Sequence, residues 1–307
     1  MKAAIDIGTN TVLLLVAEYK NDTLIVHHED QRMTRLGEGV DESRRLHAQP
    51  IRRVINALLE YKAIVSDTFG EIEIIVTATS AVRDAANKQE FLGSVLQETG
   101  LKINILSGSD EADYTYTGAI SMLSNIPDTD TLVIDIGGGS TEIIVAKGSF
   151  IRNAYSFDIG CVRFTERYLK SDPPTKQEIE QCEQEIVSLF SQKKFKIDTN
   201  KVAIGVAGTI TSLAALLLGT EQFEKDAVDN YPITSVQLSD SINTFSSNSH
   251  KELLEMNPLI LEGRVDVFLA GLLILKSFLN LYGLDEIKVS TGGVRHGAIL
   301  KALRLPK

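Results

Sequence analysis

The chain has 307 residues, 43% of them hydrophobic, and a formal net charge of −10. That length suits two domains with substantial cores, and that charge argues against general nucleic-acid binding, which needs a basic field. Apolar runs fall short of a membrane span, the first strand begins too early for a signal peptide, and Cys161 and Cys182 lack metal spacing; the expectation is a reduced, cytoplasmic protein with no membrane partner.

Strands are predicted over residues 2–7, 12–19 and 23–32. A helix follows near 49–67, with Pro50 in its first turn and Ile51, Val54, Ile55, Leu58 and Leu59 at helical period. Next come a strand at 72–77, helical segments over 80–99 stopping at Gly100, a strand at 102–106 and a helix near 110–124. The order then repeats. Strands are predicted at 131–136, 141–147 and 150–158, a helix at 175–195, and a strand at 202–206. A helical region over 209–283, with a loop near 219–234, precedes a strand at 286–290 and a helix at 295–304. Pro127 and Asp128 break the pattern near Asn125 and Ile126. The expected domains are therefore 1–126, completed by the last helix over about 296–307, and 127–295, with a cleft between them.

Each half carries the same turn. Asp6-Ile7-Gly8-Thr9-Asn10-Thr11 and Asp135-Ile136-Gly137-Gly138-Gly139-Ser140-Thr141-Glu142 both lie between two apolar runs. Small residues let the backbone approach a ligand, and successive turn N–H groups form a concavity suited to phosphate oxygens. Thr9, Thr11, Ser140 and Thr141 add hydroxyl donors. Asp135, then Glu142, then Asp6 are the candidate ligands for a divalent cation held largely through water, as Mg²⁺ prefers. Taken singly, either turn is also an ordinary hairpin; the repetition of the surrounding elements favours a ligand site. Arg32, Arg35, Arg44, Arg45, Arg52 and Arg53 form a basic window, read as solvated surface rather than a polyanion track. The histidines are scattered and none is assigned a catalytic role.

Several segments together resemble the exopolyphosphatase and guanosine pentaphosphate phosphohydrolase (Ppx/GppA) family, of the sugar kinase, heat-shock ATPase and actin superfamily. Besides the two turns, they are Arg35 to Gly39, Thr77 to Arg83, Ser107 to Ala112, Gly208-Thr209 and Gly292 to Gly297. The resemblance implies an α/β fold of duplicated actin-like, ribonuclease H-like domains. It also implies phosphate loops at Gly8 to Thr11 and Gly137 to Thr141, a further phosphate contact at Gly208-Thr209, an active-site arginine at Arg83 and a catalytic base at Glu111. Asp110 stands where relatives often carry a second Glu. The helical domains of longer members are absent from this 307-residue sequence.

The activity so implied is Mg²⁺-dependent removal of terminal orthophosphate from inorganic polyphosphate, with guanosine pentaphosphate as the alternative substrate. An ATP-dependent kinase and a non-catalytic nucleotide switch would use the same two loops. A homodimer is left open. Glu111 together with Arg83 favours the hydrolase.

Overall fold

The computed structural model describes residues 1–123, 129–198, 201–220 and 222–304. In chain order the first elements are β1 (Lys2–Ile7), β2 (Thr11–Lys20), β3 (Thr23–Met33), α1 (Val40–Ser43), α2 (Ala48–Phe69), β4 (Ile74–Ala78), α3 (Ser80–Asp84), α4 (Lys88–Thr99), β5 (Ile103–Ile105) and α5 (Gly108–Ser121). There follow β6 (Asp130–Ile136), β7 (Thr141–Lys147), β8 (Phe150–Phe157), α6 (Cys161–Tyr168), α7 (Lys176–Ser191), β9 (Lys201–Val206), α8 (Ala207–Leu218), α9 (Lys225–Val228) and β10 (Pro232–Thr234). The last are α10 (Ser235–Ser247), α11 (His250–Met256), α12 (Pro258–Leu261), α13 (Val265–Tyr282), β11 (Glu286–Val289) and α14 (Val294–Arg304).

The chain divides into two units, Met1–Ser121 with Gly292–Lys307, and Met122–Thr291. The break expected at Asn125 to Asp128 lies outside the described residues.

The first unit has a five-stranded sheet in the order β3-β2-β1-β4-β5. β1, β2 and β3 are antiparallel neighbours, while β4 and β5 join in parallel. The second unit repeats this as β8-β7-β6-β9-β11, with β10 added antiparallel at the edge. This is the ribonuclease H-like order, present twice, and it defines a duplicated actin-like α/β fold. A parallel pairing needs a helical crossover, and this is why β4 and β9 are preceded by the long helices α2 and α7.

In the first unit, Val54, Ile55, Leu58, Tyr61 and Val65 of α2 meet the buried apolar residues of β1 and β2. The Tyr61 hydroxyl donates to the Val12 carbonyl at 3.0 Å, which satisfies its one buried polar group. α14 packs on the same unit through Ala298, Ile299 and Leu300. Its approach to α5 depends on glycine. A Cβ placed at Gly118 would lie 2.1 Å from the Gly293 carbonyl oxygen, and one at Gly297 2.0 Å from that of Tyr114.

In the second unit every residue of β6 is buried, as expected of a strand covered on both faces. The core is built around α13, an 18-residue apolar helix. By length and composition alone α13 is apolar enough to cross a membrane, although Asp266 and Lys276 interrupt its apolar runs, and 78% of that window is buried inside the protein. Each fully buried Leu or Phe contributes roughly 1.5–3 kcal/mol.

The helical segments expected over 80–99 are the short α3, which carries Arg83, and α4. Three other segments differ from the sequence expectation. α1 was not expected. The region 209–283 holds five α-helices besides α9 and the edge strand β10, which occupy its expected loop. α6 was not expected, because Cys161 to Tyr168 is short and rich in charged residues.

Candidate active site

In the first unit the β1–β2 hairpin closes with Gly8 N–H donating to the Thr11 carbonyl at 2.9 Å, leaving Thr9 and Asn10 as the loop. The following segment straps this loop. The Thr9 carbonyl accepts from Gly37 N–H at 2.8 Å, and the Asn10 carbonyl accepts from the N–H groups of Thr34 and Arg35 at 3.0 and 2.9 Å. A trans peptide sets its C=O and N–H in opposite directions. With those carbonyls turned to the strap, the N–H groups of Asn10 and Thr11 face the other way. The strap passes closely enough that a Cβ at Gly37 would lie 2.1 Å from the Thr9 methyl.

From this loop a line of contacts runs through α3. The Thr9 and Ser80 hydroxyls are 3.0 Å apart. Ser80 and Arg83 stand three residues apart, on one face of α3. Arg83 Nη1 donates to Glu111 Oε2 at 2.7 Å and to the Leu106 carbonyl at 3.1 Å. Glu111 is 6% exposed. The two residues expected to be catalytic, 28 positions apart in sequence, thus form a charge-assisted pair. Asp6, next to last in β1, lies beside Thr77 of β4, whose hydroxyl donates to Asp6 Oδ1 at 3.0 Å.

The second unit repeats the loop and its strap. Gly137 N–H donates to the Ser140 carbonyl at 3.0 Å. The Gly137 carbonyl accepts from Cys161 N–H, and the Gly138 carbonyl from Val162 and Arg163 N–H. The Gly139 carbonyl accepts from Arg163 Nε at 2.7 Å. The N–H groups of Gly138, Gly139 and Ser140 therefore face away from α6. Neither Gly138 nor Gly139 has positive φ, so this loop conformation does not itself demand glycine. It is the strap that requires glycine for space: a Cβ at Gly160 would sit 2.3 Å from the Gly138 oxygen.

Asp135 and Glu142 are direct partners across the β6–β7 ladder, so both side chains lie on one sheet face. They are 8% and 1% exposed, and Glu142 Oε1 accepts from Ser156 at 2.6 Å. Two like charges placed opposite each other and out of water cost stability unless something positive offsets them. That donor set fits Mg²⁺ held by one or two carboxylates and completed by water and phosphate oxygens. Among the described residues no three His, Cys, Asp or Glu side chains group as a full protein cage. In the first unit the position matching Glu142 is Leu13, opposite Asp6, so the carboxylate pair is not repeated there.

Two expected phosphate contacts are used otherwise. Thr141 is fully buried and its hydroxyl donates to the Ile159 carbonyl at 2.6 Å, tying down the strap. The Thr209 side chain is buried and packs against Gly271 of α13. Gly208 and Thr209 do lie in the first turn of α8, where backbone N–H groups and the helix dipole suit an anion. The chain enters α8 through Ala207 at φ 70°, an unusual conformation for a residue with a Cβ.

Sequence reasoning missed two arginines. Arg163 is 6% exposed and lies beneath the second loop. Arg264 reaches from the start of α13 to the Gly208 carbonyl and Ser212 at the start of α8. Burial lowers its pKa, its Nε has no hydrogen-bond partner, and among the described residues no carboxylate pairs with it. A charged residue between Gly263 and an apolar helix was the available signal. The basic window is largely neutralised: Arg32 meets Asp30 and Glu60, Arg45 meets Glu90, Arg52 meets Glu98 and Arg53 meets Glu38. Both cysteines are free and buried, and burial pushes their thiols up, to about 11 for Cys161 and about 12 for Cys182. His296 is fully buried, and its Nδ1 accepts from Gly293 N–H at the start of α14, a capping role.

The duplicated fold, with a carboxylate and a strapped two-residue turn ending the first strand of each unit, places the protein among phosphate-handling members of the actin-like class. The chain belongs to the Ppx/GppA phosphatase family, whose model matches residues 15–305. It is 30% identical over 314 residues to exopolyphosphatase 2 of Mycobacterium tuberculosis, covering 97% of each chain. It is 33% identical over 324 residues to the bifunctional 3-dehydroquinate synthase/phosphatase of Fusobacterium nucleatum, covering 99% of this chain but 46% of that relative. Among solved structures, the Aquifex aeolicus Ppx/GppA family member matches with a TM-score of 0.82 at 33% identity, covering 98% of this chain and 96% of the other. An exopolyphosphatase-like protein matches with a TM-score of 0.91 at 28% identity, covering 98% and 96%.

Proposed function

We propose that the protein is an exopolyphosphatase that hydrolyses the terminal phosphoanhydride of inorganic polyphosphate and releases orthophosphate. One observation carries this reading: the run from loop Thr9 through Ser80 and Arg83 to the buried carboxylate of Glu111. The same unit thus holds a loop whose N–H groups could seat a phosphoryl group and, linked to it through α3, a carboxylate able to orient and deprotonate water. Similarity to proteins named exopolyphosphatase supports the same reading.

Phosphoryl transfer depends on positioning and on stabilising charge on the equatorial oxygens. The N–H groups of the two loops bind phosphate oxygens. Arg83 fixes the Glu111 carboxylate and adds positive charge beside it. Arg264 places a second partly buried cation at the start of α8. Asp135 and Glu142 would hold Mg²⁺, which when bound supplies charge neutralisation at phosphate oxygens.

Orthophosphate release from polyphosphate, without ATP or any acceptor, tests the reading. The expected result is steady release at a higher kcat/KM than with guanosine pentaphosphate. Preference for guanosine pentaphosphate would transfer the same chemistry to that substrate, and a requirement for an acceptor would replace hydrolysis with kinase chemistry.

A further inference from the structure

We infer that Arg163 is a positioning residue: its Nε–H locks the Gly139–Ser140 peptide so that the second loop presents its N–H groups, not a carbonyl, to phosphate. The duplication inside the chain carries the inference. Gly8 and Gly137 make the same hairpin bond, to Thr11 and Ser140 respectively. Asn10 therefore corresponds to Gly139. In the first unit two backbone N–H groups, from Thr34 and Arg35, hold the Asn10 carbonyl. In the second unit the strap's backbone donors, Cys161, Val162 and Arg163, reach only the carbonyls of Gly137 and Gly138. The Gly139 carbonyl is met instead by a side chain, Arg163 Nε, at 2.7 Å.

That peptide needs a lock more than its counterpart does. Gly139 has no Cβ, so its backbone reorients with little steric hindrance, whereas Asn10 is restricted. Reorienting the 139–140 peptide would turn the Ser140 N–H away and present an oxygen to the anion. A bond from a charged donor at a buried site resists this strongly. Arg163 is 6% exposed, and its Nη2 is 4.0 Å from the exposed Asp158.

The inference rests on the phosphate-binding reading of the loop, and its test uses two substitutions that separate donor from charge. Along the side chain, Gln carries an N–H at the position of Arg Nε, without the charge. Lys carries a methylene there, with the charge one atom further out. Arg163→Gln should keep tripolyphosphate affinity and kcat/KM within about threefold of wild type. Arg163→Lys should weaken both by about tenfold or more, the scale of one charge-assisted hydrogen bond. The reverse ranking would mean that Arg163 acts by charge alone, and equal effects would make it a packing residue; either overturns the lock. If Arg163→Lys does not fold, Arg163→Gln decides alone, because a loss of tenfold or more there contradicts the lock.

Amide hydrogen exchange over residues 137–142, without ligand, gives an independent reading. Faster exchange in Arg163→Lys but not in Arg163→Gln supports the lock, and equal exchange in both refutes it. A wild type that binds no polyphosphate would overturn the functional reading, while the exchange comparison would still judge the lock.

Discussion

Glu111→Gln isolates the proposed base with little change in shape. Glu111 is 6% exposed and its Oε2 is 2.7 Å from Arg83 Nη1. Glutamine keeps an oxygen that can accept from Arg83 but cannot take a proton from water. Loss of a general base costs about 10²–10⁴ in rate, or roughly 3–5 kcal/mol in the barrier. The stability cost is much smaller. A charged acceptor becomes a neutral one, worth about 1 kcal/mol, and the partly solvated Arg83 lowers that further. The expected fall in Tm is at most about 2–4 °C. Orthophosphate release at saturating polyphosphate gives kcat, and calorimetry gives Tm. Turnover within tenfold of wild type in a folded Glu111→Gln protein would remove Glu111 as the base. Adding Arg83→Met should cost less than the sum of the single effects if the two residues act as one pair.

Asp135→Asn should raise the Mg²⁺ concentration needed for half-maximal activity and lower the rate, since loss of ligand charge weakens a hard cation; an unchanged magnesium titration would confine Asp135 to the turn. Gly297→Ala should destabilise the first unit by about 1–3 kcal/mol, because its Cβ would meet the Tyr114 backbone at 2.0 Å; an unchanged denaturation midpoint would contradict that packing. The Glu178 carboxylate is held down at about 2, against an ordinary 4.5, foremost by the Thr175 N–H, with the Thr175 hydroxyl, Lys170 N–H and Ser171 adding to it. A depressed carboxylate contributes stability above its unfolded pKa and loses it as pH falls through the folded one. Glu178→Gln should therefore melt below wild type at pH 7, with the gap narrowing as pH falls from about 4.5 toward 2; a gap constant over that range would show that charge is not involved.

Local signals in the sequence carried much of the fold. The alternation and length of the apolar runs located the three leading strands of each unit, and Pro50 marked the first turn of α2. The repeat of element order was enough to expect two units, because each run of elements buries its apolar residues within itself. The short pieces were not legible. Four or eight residues hold too few apolar positions to show a period, so α1, α6 and α9 emerge only where the surrounding core gives them something to pack on.

The candidate site divides along the same line. The sequence by itself determined which residues stand in the two turns, since a hairpin is closed by neighbours a few positions apart. Only the tertiary structure decided which way their peptides point, because that depends on Gly37 and Gly160 crossing a loop far away in sequence. It likewise paired Arg83 with Glu111, turned the Thr141 hydroxyl to the Ile159 carbonyl and packed Thr209 against Gly271. A side chain's role follows from what lies within hydrogen-bond reach of it, and for these residues those partners come from distant parts of the chain.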